Sequence, residues 1–213
     1  MPGRIYFISG LGADRRAFQR LRFPPDYELV YLDWITPKTE ESLENYALRL
    51  SNAIDTRKPF YLVGLSFGGM LATEIAKRLQ PNKTFIISSV PTSKSLPWYY
   101  KFAGKLKLHQ LISQFAKRTN PVTYALFGLK KRSEKNLLDQ IIADTDINFL
   151  KWALSAILKW RNEIKPADLI HIHGTADNIL PVKFTQPDRI IVGGGHLMVY
   201  THAQEITNII VGS

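Results

Sequence analysis

The pentapeptide Gly64-Leu65-Ser66-Phe67-Gly68 constrains this chain more than any other stretch, because of what stands on either side of it. Before it run Phe60, Tyr61, Leu62 and Val63, a short apolar segment of the kind that forms a buried strand. After it Met70, Leu71, Ile75, Ala76 and Leu79 recur at helical spacing. The pentapeptide is therefore a strand-to-helix corner. In so tight a corner glycines are wanted on both sides of the serine, where a Cβ would strike the neighbouring strand or helix, and the turn presents the serine hydroxyl. Amide N–H groups at the start of a helix have no partner within it and can receive a negatively charged oxygen. A chain of this length carries G-x-S-x-G by chance with a probability of roughly 0.07. The motif gains weight only from its flanks and from partners elsewhere.

Composition sets the outer limits. With 213 residues, 45% of them hydrophobic and 22% charged, the chain has enough apolar surface for one well-buried domain with room for an insertion. The absence of cysteine excludes a disulfide framework, a thiolate nucleophile and a thiolate metal site, and is compatible with a reducing compartment. The apolar run Ile5 to Ile8 is too short for a signal peptide and no stretch approaches membrane-spanning length, so a cytoplasmic location is expected. The net charge of +10 is concentrated: residues 91–166 carry 14 Lys and Arg against 5 Asp and Glu, and the rest of the chain 14 against 13. Such an excess either steers an acidic partner or keeps a helical surface solvated.

In chain order, a strand at Arg4 to Ser9 ends in Ser9-Gly10-Leu11-Gly12-Ala13-Asp14, a helical stretch follows, and a second strand spans Glu28 to Trp34. The loop has two readings. As a dinucleotide fingerprint it offers Gly10-x-Gly12 with Asp33 at the end of the next strand, but Arg15 stands where the third glycine belongs. As an oxyanion loop it places a backbone N–H, that of Leu11, beside the corner holding Ser66. A helix follows with Leu43, Tyr46, Ala47, Leu50 and Ile54 on one face and caps expected at Thr36 or Thr39, and Thr84 to Val90 is the strand after the Ser66 helix. Apolar strands alternating with amphipathic helices mean a parallel sheet covered on both faces, with ligands at the carboxyl ends of its strands.

The alternation stops at Pro91 and returns near Asp168. Between them lie three helical stripes: Leu108, Leu111, Ile112 and Phe115; Leu137, Leu138, Ile141 and Ile142; Leu150, Leu154, Ile157 and Leu158. They predict a small helical cap over the strand ends, a lid at about 91–166. Trp98, Tyr99, Tyr100 and Phe102 beside Lys101, Lys105 and Lys107 form either pocket wall or a stripe for a membrane surface or nucleic acid; pocket wall is the commoner use of such spacing.

Two further strands, Leu169 to His173 and Arg189 to Val192, end in Gly174-Thr175-Ala176-Asp177 and Gly193-Gly194-Gly195-His196. A carboxylate and an imidazole just past the carboxyl ends of strands can meet a serine presented on the same sheet. The serine needs a base for its proton, and the base needs an acid to fix its tautomer. His196 is the expected base and Asp177 its orienter. His171 and His173 share a strand face and with Asp177 suggest a metal, yet no further ligand is obvious, and His171 reads as a buried, hydrogen-bonded strand residue. Asp168 and Asp188 begin their strands and so fall at the wrong end of the sheet.

Together, the order Ser66, Asp177, His196, the G-x-S-x-G corner, the early glycine loop, the His-Gly-x-x-Asp pattern at His173 to Asp177 and the Gly-Gly-His at 194–196 resemble the α/β-hydrolase superfamily over essentially the whole chain. The resemblance implies a three-layer α/β/α sandwich with a mostly parallel six-stranded sheet, strand order 2-1-3-4-5-6, in a single domain with a helical lid. It also implies a serine hydrolase acting on a carboxylic ester or thioester, with the N–H groups of Leu11 and Phe67 as oxyanion hole, without metal or cofactor. Three features depart from the family pattern: Ser9-Gly10 in place of His-Gly, Leu65 in place of His or Trp, and no N-terminal strand pair. The same fold hosts C–C bond hydrolases, acyltransferases and non-catalytic relatives that bind lipophilic ligands.

Overall fold

The computed structural model describes residues 3–105 and 118–213. The stripe from Leu108 to Phe115, Lys107 and His109 lie outside the described residues. Six strands, β1 (Arg4–Ile8), β2 (Glu28–Leu32), β3 (Phe60–Leu65), β4 (Lys83–Ile87), β5 (Leu169–Gly174) and β6 (Arg189–Ile191), form one sheet of order β2-β1-β3-β4-β5-β6 in which every pair is parallel. Successive strand residues point to opposite faces, and both faces are apolar here, which is why the strands read as continuous runs. Tyr6, Ile8, Leu62 and Ile86 enter one core, and Ile5, Phe7, Val63, Leu65, Phe85 and Ile87 the other.

The first core is covered by α1 (Leu43–Leu50) and α2 (Phe67–Leu79), the second by α7 (Met198–Thr201) and α8 (Ala203–Val211). Between β4 and β5 the described helices are α3 (Trp98–Lys105), α4 (Pro121–Phe127), α5 (Arg132–Asp144) and α6 (Ile147–Lys159). Asn120 caps α4, with Pro121 at its first position and Gly128 in the left-handed conformation (φ 71°) after its end. Asp146 caps α6 through the Phe149 N–H. The expected stripe on α5 joins the second core through Leu137, Leu138 and Ile141. On α6 the buried face is shifted: Phe149, Ala153 and Ile157 join the first core, and of the expected stripe Leu150, Leu154 and Leu158 are only partly buried. The insertion thus straddles the sheet.

Several boundaries differ from the sequence expectation. The helical stretch after the first loop is a single 3-10 turn, Arg15–Phe18. The cap of α1 is Ser42, which accepts from the Asn45 N–H, rather than Thr36 or Thr39. Glu40 before it takes a positive φ and Glu41 turns back to pair with Arg49, so no helix starts earlier. Ile54 lies beyond α1 but still joins its core. β4 stops at Ile87 rather than Val90 because Ser88 turns to φ 47°. Among the described residues no helix is long and apolar enough to cross a membrane.

Candidate active site

The corner after β3 has the conformation its glycines imply. Ser66 sits at φ 51°, ψ −117°, a region that non-glycine residues rarely occupy. Its geometry is held from three sides: Ser66 N donates to Ile87 O (2.9 Å), Ser66 O accepts from Gly69 N (2.9 Å) and from the Ser89 hydroxyl (2.6 Å). A Cβ on Gly68 would lie 2.2 Å from the carbonyl oxygens of Ile8 and Ser9, and one on Gly64 2.4 Å from Gly68 O. α2 can press against β1 and β3 only because both positions are glycine.

The loop after β1 is fastened by contacts that bring no charge to the serine. The Ser9 hydroxyl and the Trp34 indole N–H both donate to Ala13 O (2.6 and 2.7 Å). From the insertion, the Thr145 hydroxyl, whose proton is directed to Ile141 O (2.8 Å), stands against Gly12 O (3.3 Å), and Arg16 spans Asp14 and Asp144. Leu11 therefore borders the same space as Ser66. Among the described residues, the N–H groups of Leu11 and Phe67 have no hydrogen-bond partner. That is what an oxyanion site requires of its donors.

The loops after β5 and β6 pack backbone to backbone. Gly194 O accepts from Ala176 N (2.9 Å), Gly193 N donates to the Thr175 hydroxyl (2.8 Å), and a Cβ on Gly174 would lie 2.1 Å from Gly194 O. This contact sets the distance between the two loop tips. Asp177 Oδ1 accepts from the N–H groups of Ile179 and Leu180 (2.9 and 2.8 Å), while Oδ2 faces His196 Nδ1 at 2.8 Å. His196 Nε2 lies 2.9 Å from Ser66 Oγ. A carboxylate can only accept, so the imidazole proton is on Nδ1 and Nε2 is free to accept from the serine hydroxyl. Ser66, His196 and Asp177 stand in one hydrogen-bonded line. Phe127 meets the imidazole edge to face at 5.4 Å.

Burial pushes the Asp177 carboxyl up, but His196 and its hydrogen bond, with the Leu180 N–H and His173, more than offset it and hold the group below its usual range. It stays ionised. Behind it stand His171 and His173, both fully buried. His173 Nε2 donates to Leu180 O (2.7 Å) and lies 3.5 Å from Asp177 Oδ2; its Nδ1 then accepts from His171 Nε2 (2.9 Å). Burial, then the neighbouring His173 and Lys165, pushes His171 down to about 3, and burial likewise lowers His173. The ring nitrogens that might have shared a metal are hydrogen-bonded to each other, and the pair braces the turn carrying Asp177. Asp188 stays at the far end, bound to Lys165 and the His171 N–H.

Ser89, Thr145 and the two histidines as braces are contributions that the sequence reading did not assign. Of the aromatic stripe, Tyr100 turns inward and donates to Ile179 O (2.9 Å), whereas Trp98 and Phe102 are 68% and 58% exposed. The stripe is divided between pocket wall and surface.

Comparison with known proteins places this architecture. A family model described as a thioesterase domain matches residues 25–113, a span that contains Ser66 but neither Asp177 nor His196. No curated protein matches the chain. Among solved structures, a lipase-esterase related protein from Clostridium acetobutylicum superposes with a TM-score of 0.72 at 16% identity, over 99% of this chain and 94% of the other. MenH from S. aureus gives 0.72 at 15%, over 100% and 93%, and a thermophilic esterase from Thermogutta terrifontis 0.70 at 16%, over 99% and 88%. The chain is an α/β-hydrolase-fold protein.

Proposed function

We propose that the protein is a serine hydrolase that cleaves a carboxylic ester or thioester through Ser66, His196 and Asp177, with the helical insertion as a lid of the single domain. The observation that supports this best is the line of 2.8 and 2.9 Å hydrogen bonds from Asp177 through His196 to Ser66, lying beside two unpaired backbone N–H groups. Ser66 Oγ attacks the carbonyl carbon while His196 Nε2 takes its proton, and the N–H groups of Leu11 and Phe67 receive the developing oxyanion. His196 then gives the proton to the leaving group, and water resolves the acyl-enzyme by the same steps. The chemistry uses side chains and backbone alone, without metal or cofactor. The thioesterase-domain match and the esterase neighbours favour acyl transfer to water over C–C cleavage. A small-molecule acyl substrate in the cytoplasm is the setting proposed. Neither nucleic acid nor a membrane surface is needed as partner.

The test is hydrolysis of short p-nitrophenyl esters. Ser66→Ala and His196→Ala each lower kcat by about 10³-fold or more with an unchanged circular dichroism spectrum. Undiminished turnover in either folded variant removes the assignment.

A further inference from the structure

Two cavities meet at Ser66, and no charged side chain lines either among the described residues. The larger, about 260 Å³, extends from Gly10 and His196 between Phe127, Leu138, Ile142 and Leu150. The smaller, about 170 Å³, extends from Phe67 and Met70 towards Leu96, Leu154 and Leu158. Leu11, Ser66 and Ile179 border both. The remaining polar side chains on these walls are already engaged: the Thr145 hydroxyl donates to Ile141 O (2.8 Å) and the Tyr100 hydroxyl to Ile179 O (2.9 Å). A polar or charged substrate group entering either limb would lose its water without gaining a partner.

We infer that the substrate is a neutral ester with an apolar arm on each side of the scissile bond, its acyl chain in the smaller cavity and its alcohol in the larger; this rests on the hydrolase assignment above. His196 belongs to the wall of the larger cavity alone. The proton it takes from Ser66 must reach the leaving oxygen, so that oxygen has to come within about 2.6–3.2 Å of Nε2. The alcohol therefore departs on the His196 side. With the carbonyl oxygen turned to the Leu11 and Phe67 N–H groups, the last substituent of the tetrahedral carbon faces the limb that holds Phe67 and Met70. In the first half-reaction the Oγ–carbon bond forms as the proton moves to Nε2, and the carbon–alkoxy bond breaks as that proton moves to the alcohol. In the second, water adds to the carbon as Nε2 takes one of its protons, the Oγ–carbon bond breaks, that proton returns to Ser66 and the carboxylic acid leaves. A thioester of coenzyme A would instead lay amide groups along the larger limb.

Two ratios of kcat/KM separate the arms: ethyl decanoate over ethyl acetate reads the acyl limb, and decyl acetate over ethyl acetate reads the alcohol limb. Leu154→Trp narrows the smaller cavity and lowers the first ratio about tenfold or more while the second stays within about twofold; Ile142→Trp does the opposite. Should either tryptophan fail to fold, Leu158→Phe and Leu150→Phe make the same comparison with less added bulk. Exchange of the two effects, or equal effects on both ratios, overturns the inference and leaves the hydrolase intact. So does a wild-type preference for decanoyl-coenzyme A over ethyl decanoate. A folded wild-type protein that turns over no ester and does not react with a fluorophosphonate removes the hydrolase assignment as well.

Discussion

Ser66 is held at φ 51°, ψ −117°, at a cost of order 1–3 kcal/mol that the surrounding packing must supply. The close approach of α2 to β1 supplies part of it and depends on Gly68. Adding a methyl group there would set carbon against two backbone carbonyl oxygens that no rotamer change can move. Gly68→Ala is expected to lower the free energy of unfolding by about 2 kcal/mol or more, measured by urea denaturation, and to reduce turnover with it. Unchanged stability would mean that the corner is looser than described. This residue was legible in the sequence because strain and close approach leave a local signature, two glycines around a serine. Asp177 and His196 were legible for a related reason: each stands immediately after an apolar strand. What braces the loops of the site was not. Thr145 reaches Gly12 from 133 positions away, and His173 acts through Leu180 O, a contact set by how the turn folds. Neither interaction has a sequence pattern of its own.

At the scale of elements, the insertion between β4 and β5 is tied at its base by one side chain. Asn162 Nδ2 donates to Pro91 O and Ile164 O (both 2.8 Å), Oδ1 accepts from Lys77 Nζ (2.9 Å), and its backbone oxygen accepts from the Ser93 N–H and hydroxyl (2.8 and 3.0 Å). Both stems and α2 are thereby joined. Close by, the buried Glu74 accepts from the Trp160 indole (2.8 Å) and pairs with Lys77 (2.6 Å). Asn162→Ala leaves the buried Pro91 carbonyl without its donor, while Lys77 keeps Glu74, and is expected to cost about 1–3 kcal/mol. A loss under about 0.5 kcal/mol in urea titration would show that the stems are held by packing instead. Helical stripes revealed α5 and α6, but the exit cap of the insertion looks like any loop asparagine. The cap of α1 was misplaced for a similar reason: Thr36, Thr39 and Ser42 are equally good caps in sequence, and the Glu41–Arg49 pair decides among them.

For the molecule as a whole, two cores on opposite faces of one parallel sheet are what the alternation of apolar runs implied, whereas the strand order was legible only through the α/β-hydrolase resemblance. The buried histidines add a pH dependence. His171 and His173 bind protons less readily folded than unfolded, so between the unfolded value near 6.5 and the folded value of about 3 for His171 the unfolded state holds more protons, and stability falls as pH falls. Above about pH 7 both states are neutral at these sites and the effect vanishes. The expected loss from pH 7 to 5.5 is about 1 kcal/mol from His171, with His173 acting in the same direction, seen as a falling urea midpoint. In His171→Asn the slope should be shallower. A midpoint independent of pH over that interval would contradict neutral burial.

The central claim is that the Ser66 hydroxyl is a nucleophile activated by His196. Its most direct test is a fluorophosphonate titration read by intact and peptide mass spectrometry. One adduct per chain, carried by Ser66 in the wild type and lost in His196→Ala, is the predicted result. A folded wild-type chain that remains unmodified, or is labelled elsewhere, would contradict it.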